Sequence, residues 1–487
     1  MKYKIAYFMK WSFSQNACQN KHRLWTFPQR QLALSAIMQP SPMSDKQTLR
    51  KSEFPSCARE ALQKVEQLCV PQAGGRPPSA KEMDLAMEIM AEFIFCEVDR
   101  RGNNKKLTCI QQLQLAQLLC DYFAGVHFGS GGPTGAAAGP SGDTARNTLF
   151  LSLFPPTTSK GRAQALVQLV SMAISTKNKP VLDSTGIWMQ QLGCTSKLVL
   201  QLADGLVKDY FVLVPKAVTR LQDLPALAPH FTANLLSTVA EMYACSEQKD
   251  GFSPPPAALL EVITQWVSDN PRLCLTALVV NLQPLLPLGS IPMAALTPFA
   301  GLFRWCVLSP LLTTSNSIKA SGDLSNGSSN GISNGKMNIK KEKGGGDMNS
   351  HKRDLGVGKE PPLYSQLHLA LLESLVENVY PSVNRPNNVK DVVSVQHIAG
   401  IVEPVHNWYN KQLKLSESSP PHLSVDEHEA LELALDRLGQ AVQIALAANC
   451  VYGNKQYLLT QLDTLKHLPE SRLLRIVLQT HQAPSLF

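Results

Sequence analysis

Apolar residues recur at helical spacing along most of the chain, and strand-like alternation is scarce. Ser79-Ala-Lys-Glu82 has the form of a capping box, in which a hydroxyl and a carboxylate satisfy the first free amides of a helix. It opens the run MDLAMEIMAEFIFCEV, where Met83, Met87, Met90 and Ile94 return every three or four residues. Thr108-Cys-Ile-Gln111 opens a second helix, expected to turn Ile110, Leu113, Leu118 and Tyr122 to one side and to stop at Gly125. A third box, Ser424-Val-Asp-Glu427, starts the longest regular run, HEALELALDRLGQAVQIALAANC. The same periodicity predicts helices over 163–175, 196–207, 231–243, 256–267, 363–379, 395–413 and 457–467. Prolines at 155, 180, 215, 225, 229, 254–256 and 271 punctuate these runs at distances that suit helical hairpins. Trp188, Trp266 and Trp305, spaced 78 and 39 residues apart, fit a repeat near 39, close to the period of HEAT-like arrays. The fold class is therefore all-α: helical hairpins in a HEAT-like or irregular α-solenoid, with disordered linkers.

The stretch LTPFAGLFRWCVLSPLL, 296–312, is almost wholly apolar. A membrane span needs about 20 continuous apolar residues, and Pro284, Pro287, Pro292, Pro298 and Pro310 cut the region from Pro271 to Leu312 into shorter pieces. These read as core helices, with no membrane partner. Arg304 is costly in such a place, and no Asp or Glu lies between Asn270 and Gly322 to pair with it locally. It snorkels to solvent, caps a helix end, or anchors another protein. Trp305 beside it belongs to the core.

Two segments lack a sustained apolar period. GVHFGSGGPTGAAAGPSGDTAR, 125–146, is rich in Gly but has no Gly-Lys-Ser/Thr to hold phosphate, and reads as a flexible loop. Residues 313–362, with SNGSSNGISNG and KKEKGGGD, cannot bury enough apolar surface to fold and read as a disordered linker. The expected organisation is a basic leader at 1–42, a helical body at 43–312, the linker, and a helical region at 363–487. Within the linker, Lys340, Lys341 and Lys343 fit part of a nuclear import signal, and Ile339-Lys340-Lys341-Glu342 fits the short pattern for SUMO attachment.

Composition changes this picture in one respect. At 487 residues the chain is long enough for two or three domains or one extended array. Its net charge of +8 suggests nucleic acid until it is located: residues 1–52 hold nine Lys or Arg against Asp45 alone, and the rest is neutral at 37 of each sign. No direct nucleic-acid partner is expected.

Candidate chemistry is sparse. The eleven cysteines form no CxxC pair, and most sit in apolar helical runs, as buried thiols of a reducing compartment do. His428-Glu429 begins like a zinc-protease motif, but Glu432 stands where the second His belongs. His406 and Trp408 in VEPVHNWY suit a packed aromatic at a helix surface better than a pocket. No catalytic residue, metal, cofactor or small-molecule substrate is predicted, and the chain reads as a non-enzyme. The rival reading is a helical carrier or adaptor whose Met-rich helix at 83–90 lines an apolar ligand pocket.

Several blocks resemble the Integrator complex subunit 15 family. They are LTCIQQLQLAQLLCDYF (107–123), LVSMAISTKNKPVLDSTGIWMQ (169–190), LADGLVKDYFVLVP (202–215), LEVITQWVSDNPRL (260–273), LTPFAGLFRWCVLSPL (296–311), YSQLHLALLESL (364–375) and LELALDRLGQAVQIAL (431–446). Seven blocks in order span most of 43–480. The family's chains begin in a manner similar to Met43-Ser-Asp45, so residues 1–42 look like an added leader or a misassigned start. The chain ends at PSLF without the Pro- and His-rich tail of related members, and its linker looks longer. The resemblance implies a nuclear, non-enzymatic scaffold. It would join Integrator subunits ten, thirteen and fourteen to the rest of that complex in small nuclear RNA processing and RNA polymerase II termination.

Overall fold

A computed structural model describes residues 42–70, 78–99, 101–126, 140–213, 215–244, 254–275, 297–322, 362–377, 392–416, 422–468 and 471–482. Among them are 17 α-helices and one pair of two-residue strands, so the fold is all-α. Contacts divide the chain into two compact units, 1–184 and 185–487.

The first unit holds α1 (Pro42–Leu49), α2 (Ser56–Cys69), α3 (Ala80–Ile89), α4 (Cys109–Asp121), α5 (Pro140–Leu153), α6 (Lys160–Ser175) and the start of α7 (Lys179–Leu192). The predicted boxes open α3 and α4, with Ser79 and Thr108 each accepting from the third amide while Glu82 and Gln111 reach back. Both helices widen into a π-helical turn, at Met90–Ile94 and Tyr122–Val126. Gly125 closes the second in the left-handed region, at φ 103°, where a side chain would be strained. The core is aromatic: Phe95 meets Phe154 edge-on at 5.8 Å, and Phe150 lies 5.5 Å from Phe123 and 5.2 Å from Phe154. α1 is held to α3 by Lys46 on Glu88, and Arg50, just after α1, makes a two-pronged pair with Glu92 of the following π turn at 2.9 and 3.2 Å.

Two predicted faces are rotated. On α4, Leu118 and Tyr122 are buried as expected, but Ile110 and Leu113 are exposed, because burial begins only at Leu115. On α3 the buried positions are Ala86, Ile89, Met90, Phe93 and Ile94, and Met87 faces solvent. The π turn over 90–94 advances the chain by a residue, so no single three-or-four spacing follows the packed side. Of the stretch expected to be a flexible loop, 125–146, residues 140–146 belong to α5, and 127–139 lie outside the described residues.

The second unit continues with α8 (Lys197–Val207), α9 (Leu224–Leu227), α10 (Pro229–Ala244), α11 (Ala257–Asp269), α12 (Phe299–Gly322), α13 (Pro362–Glu377), α14 (Val395–Leu415), α15 (Val425–Ala447), α16 (Lys455–Asp463) and α17 (Arg472–Gln482). β1 (Val393–Ser394) and β2 (Val451–Tyr452) pair in parallel, joining the chain entering α14 to the chain leaving α15. α12 is the central helix, packing against α10, α13, α14 and most extensively α15. It runs through Pro310 and past Leu312 to Gly322, so Pro310 bridges where a break is predicted.

Pro310 has no N–H for the carbonyl of Cys306 one turn back. Arg437 of α15 and Ser309 share that carbonyl: Arg437 Nη1 donates to it at 2.6 Å and to Ser309 Oγ at 3.2 Å, the Ser309 hydroxyl donates to it at 3.2 Å, and Arg437 Nη2 donates to Ser365 Oγ of α13 at 2.9 Å. Arg437 is 3% exposed, so its guanidinium is withdrawn from water, with Ser365 at the exposed end of the fork. One turn on, Gln440 Oε1 meets His368 Nε2 at 3.1 Å, a second rung between α15 and α13. Burial, followed by the charge of Arg437, pushes the His368 imidazole down to about 4, partly opposed by the Gln440 bond.

The fork generates two predictions. Replacing Arg437 with Met removes the Cys306 carbonyl's shorter bond and leaves it the Ser309 hydroxyl at 3.2 Å, and Pro310→Ala restores an amide to it. Pro310→Ala should therefore stabilise the Arg437→Met protein more than the unaltered chain, by about 1 kcal/mol in a double-mutant cycle read by urea unfolding. Equal effects in the two backgrounds would remove the coupling. For His368 the unfolded imidazole binds protons more readily than the folded one. Its stability contribution is thus complete above about pH 6.5 and is lost as pH falls towards 4, by roughly 1–2 kcal/mol at pH 5. His368→Gln should flatten that part of the stability profile.

Candidate interaction surface

Residue Arg304 lies on α12 between buried Phe303 and Trp305. The surroundings explain both neighbours. Gly301 lets α12 approach α10 closely: a Cβ there would sit 2.5 Å from the Cβ of Ala240. Trp305 is fully buried, donates from Nε1 to the carbonyl of Ala240 at 3.0 Å, and meets Tyr243 edge-on at 5.9 Å. Phe299 and Phe303 stack at 5.6 Å. Trp305 is therefore core, as predicted.

Arg304 itself is half-buried. Its Nε is shielded from water and has no hydrogen-bond partner, and the residue forms no ion pair with a described residue. The cap expected as one alternative is not formed, and a snorkelling stem with an unused guanidinium remains.

The other predicted residues do not converge. His406 is 3.5 Å from Thr464 Oγ1 at an exposed position, while Trp408 is buried. His428, Glu429 and Glu432 are exposed on α15. Trp188 is buried, as is Trp266, which donates to the Leu221 carbonyl at 3.0 Å. Trp266 and Trp305 thus bond to different kinds of element, a 3-10 turn and a helix. Met83 is half-buried and Met90 is in the core. Lys340, Lys341 and Lys343 lie outside the described residues.

Of the nine described cysteines all are free thiols, and eight are buried; Cys109 is exposed. Burial pushes the thiols of Cys69 and Cys450 up to about 11 and that of Cys120 to about 12. Among the described residues no cluster of three His, Cys, Asp or Glu is placed to hold a metal ion, and no helix is long and apolar enough to cross a membrane.

Sequence reasoning missed Arg437, though a signal was available. It falls on the stripe of Ala430, Ala434 and Ala441 at steps of three and four, and so faces the core with them. The remaining large apolar side chains at the surface lie on single helix faces. They include Ile110 and Leu113 on α4, Leu369 and Val376 on α13, and Ile476 on α17.

Comparison with known proteins bears on this helical body as a whole. The family model for Integrator complex subunit 15 matches residues 44–467. Integrator complex subunit 15 of Drosophila melanogaster is 31% identical over 454 residues, covering 90% of this chain and 98% of that protein. The Danio rerio protein of that name is 30% identical over 84% of this chain and 74% of its own length. The Homo sapiens protein is 29% identical over 90% and 87%. From within α1 to the turn that follows α16, the match takes in nearly every element described above, and the chain belongs to the Integrator complex subunit 15 family.

Proposed function

We propose that this chain is a non-catalytic, nuclear scaffold that joins Integrator subunits ten, thirteen and fourteen to the rest of that complex, in small nuclear RNA processing and RNA polymerase II termination. The observation that carries this reading is the extent of the family match, 44–467, over a body built throughout of packed helices. Two buried arginines support it, because each is engaged in holding the fold together. Arg437 clamps α12, α13 and α15, and Arg162 is held by Glu97 at 2.7 Å. Arg304 is assigned to a partner contact, its guanidinium being unused by the described fold. Lys340, Lys341 and Lys343 are assigned to nuclear import.

The test is quantitative mass spectrometry of proteins retained by the tagged full chain from nuclear extract. Subunits ten, thirteen and fourteen should be recovered together, and their absence beside other Integrator subunits would refute the assignment of partners. Two substitutions then separate structure from contact. Trp305→Ala should cost about 3–5 kcal/mol by opening a cavity beside α10. Arg304→Ala should cost less than about 2 kcal/mol yet reduce subunit recovery. Unchanged recovery would return Arg304 to a purely snorkelling role.

A further inference from the structure

The exposed face of α4 combines three features that the interior does not use. Ile110 is 72% exposed and Leu113 is 63% exposed, although both are large aliphatic side chains in the first turns of a well-capped helix. Gln114 and Gln117 continue the same exposed stripe at spacings of three and four, without charge. The nearest acid along it is Asp121, which accepts from Gln117 Nε2 at 2.9 Å.

Immediately before this helix the chain makes a tight hairpin, with Val98 bridged to Asn104 and the amide of Lys105 donating to the Glu97 carbonyl at 2.8 Å. Its two acids are taken up within the fold. Asp99 Oδ1 accepts the amides of Arg101 and Asn103 at 2.7 and 2.8 Å, and Oδ2 accepts from Asn103 Nδ2 at 2.9 Å. Glu97 Oε2 accepts from Arg162 Nη2 at 2.7 Å and Nε at 3.0 Å, and Oε1 accepts the Ser159 hydroxyl. Arg101, Lys105 and Lys106, four to nine residues before Ile110 in the chain, are left exposed. The hairpin is held in place by these bonds, so the cations are presented on a fixed support.

We propose that this face of α4, with the hairpin that precedes it, docks an acidic amphipathic segment of another protein, its aliphatic side chains on Ile110 and Leu113 and its carboxylates on Arg101, Lys105 and Lys106. The inference rests on the scaffold reading above and adds a place and a chemistry to it. An apolar centre with a charged rim is the anatomy of a protein interface. A nucleic acid would instead call for aromatic platforms or a longer cationic track, and the centre here is aliphatic.

Cys109 supplies a probe within the face, being exposed where the other eight described cysteines are buried. The tagged full chain, unaltered and as Ile110→Asp/Leu113→Asp and Lys105→Glu/Lys106→Glu, would be compared for Integrator subunits retained from nuclear extract, with a melting curve of each. The inference expects both variants to melt as the unaltered chain does and to lose the same subunit, the aliphatic pair by more than about tenfold. A maleimide should modify Cys109 rapidly in the free chain and slowly in the assembly. A crosslinker seated at Cys109 should capture a segment of that subunit rich in Asp or Glu. If the unaltered chain retains no Integrator subunit, the scaffold reading fails. If it retains them and both variants do equally, or Cys109 stays as reactive in the assembly, the docking face is wrong. Loss of retention on nuclease treatment would overturn it in favour of nucleic acid.

Discussion

The second unit depends on one buried guanidinium. A proline inside a helix leaves a carbonyl without its amide, and burying that carbonyl unpaired costs about 1–3 kcal/mol. An unpaired charge in the interior costs several kcal/mol more. Pro310 and Arg437 create these two problems in adjacent helices, and the bond from Nη1 to the Cys306 carbonyl, across 131 residues of sequence, answers the charge and joins the Ser309 hydroxyl at 3.2 Å in answering the carbonyl. Ser309 and Ser365 complete the fork, and Gln440 with His368 repeats the link from α15 to α13 one turn further on. Helices from both sides of residues 323–361 are thereby tied into the unit that spans 185–487.

That tie explains where the sequence could and could not be read. Helix identity and starts were legible because capping boxes and apolar periodicity are local: Ser79, Thr108 and Ser424 all cap as their side chains predict. Pro310 was not, because whether a proline ends a helix depends on who receives the freed carbonyl, and here the recipient is a distant Arg. The expected division at 313–362 followed composition, whereas the contact boundary falls inside α7. Composition reports which residues cannot pack; it does not report which flanking helices pack together.

The misread faces follow from the same limit. Periodicity places Ile110 and Leu113 with Leu118 and Tyr122, but the depth of burial along a helix is set by how far its neighbours extend. α4 packs against α6, touching it as early as Gln112, but its buried positions begin only at Leu115. On α3, the π turn over 90–94 shifts the buried side relative to the α-helical turns before it, and Met87 falls off the stripe. What looks like core in the sequence becomes surface, and aliphatic surface on a fixed helix is what an assembling protein needs.

A fork of this kind is a poor device for raw stability, since well-packed apolar residues of similar volume often serve as well or better. Its effect is geometric. A planar guanidinium bonded to a carbonyl and two hydroxyls on two other helices tolerates little sliding between them. Cys306 and Arg304 are two residues apart, so they point about 200° from each other around α12. Fixing the Cys306 carbonyl towards α15 therefore fixes Arg304 on the far side, at the half-buried edge where it stands unpaired. A slip by one residue would turn it about 100° towards Phe303 or Trp305 and bury its charge among them. The clamp on one side of α12 thus decides what the other side offers to a partner.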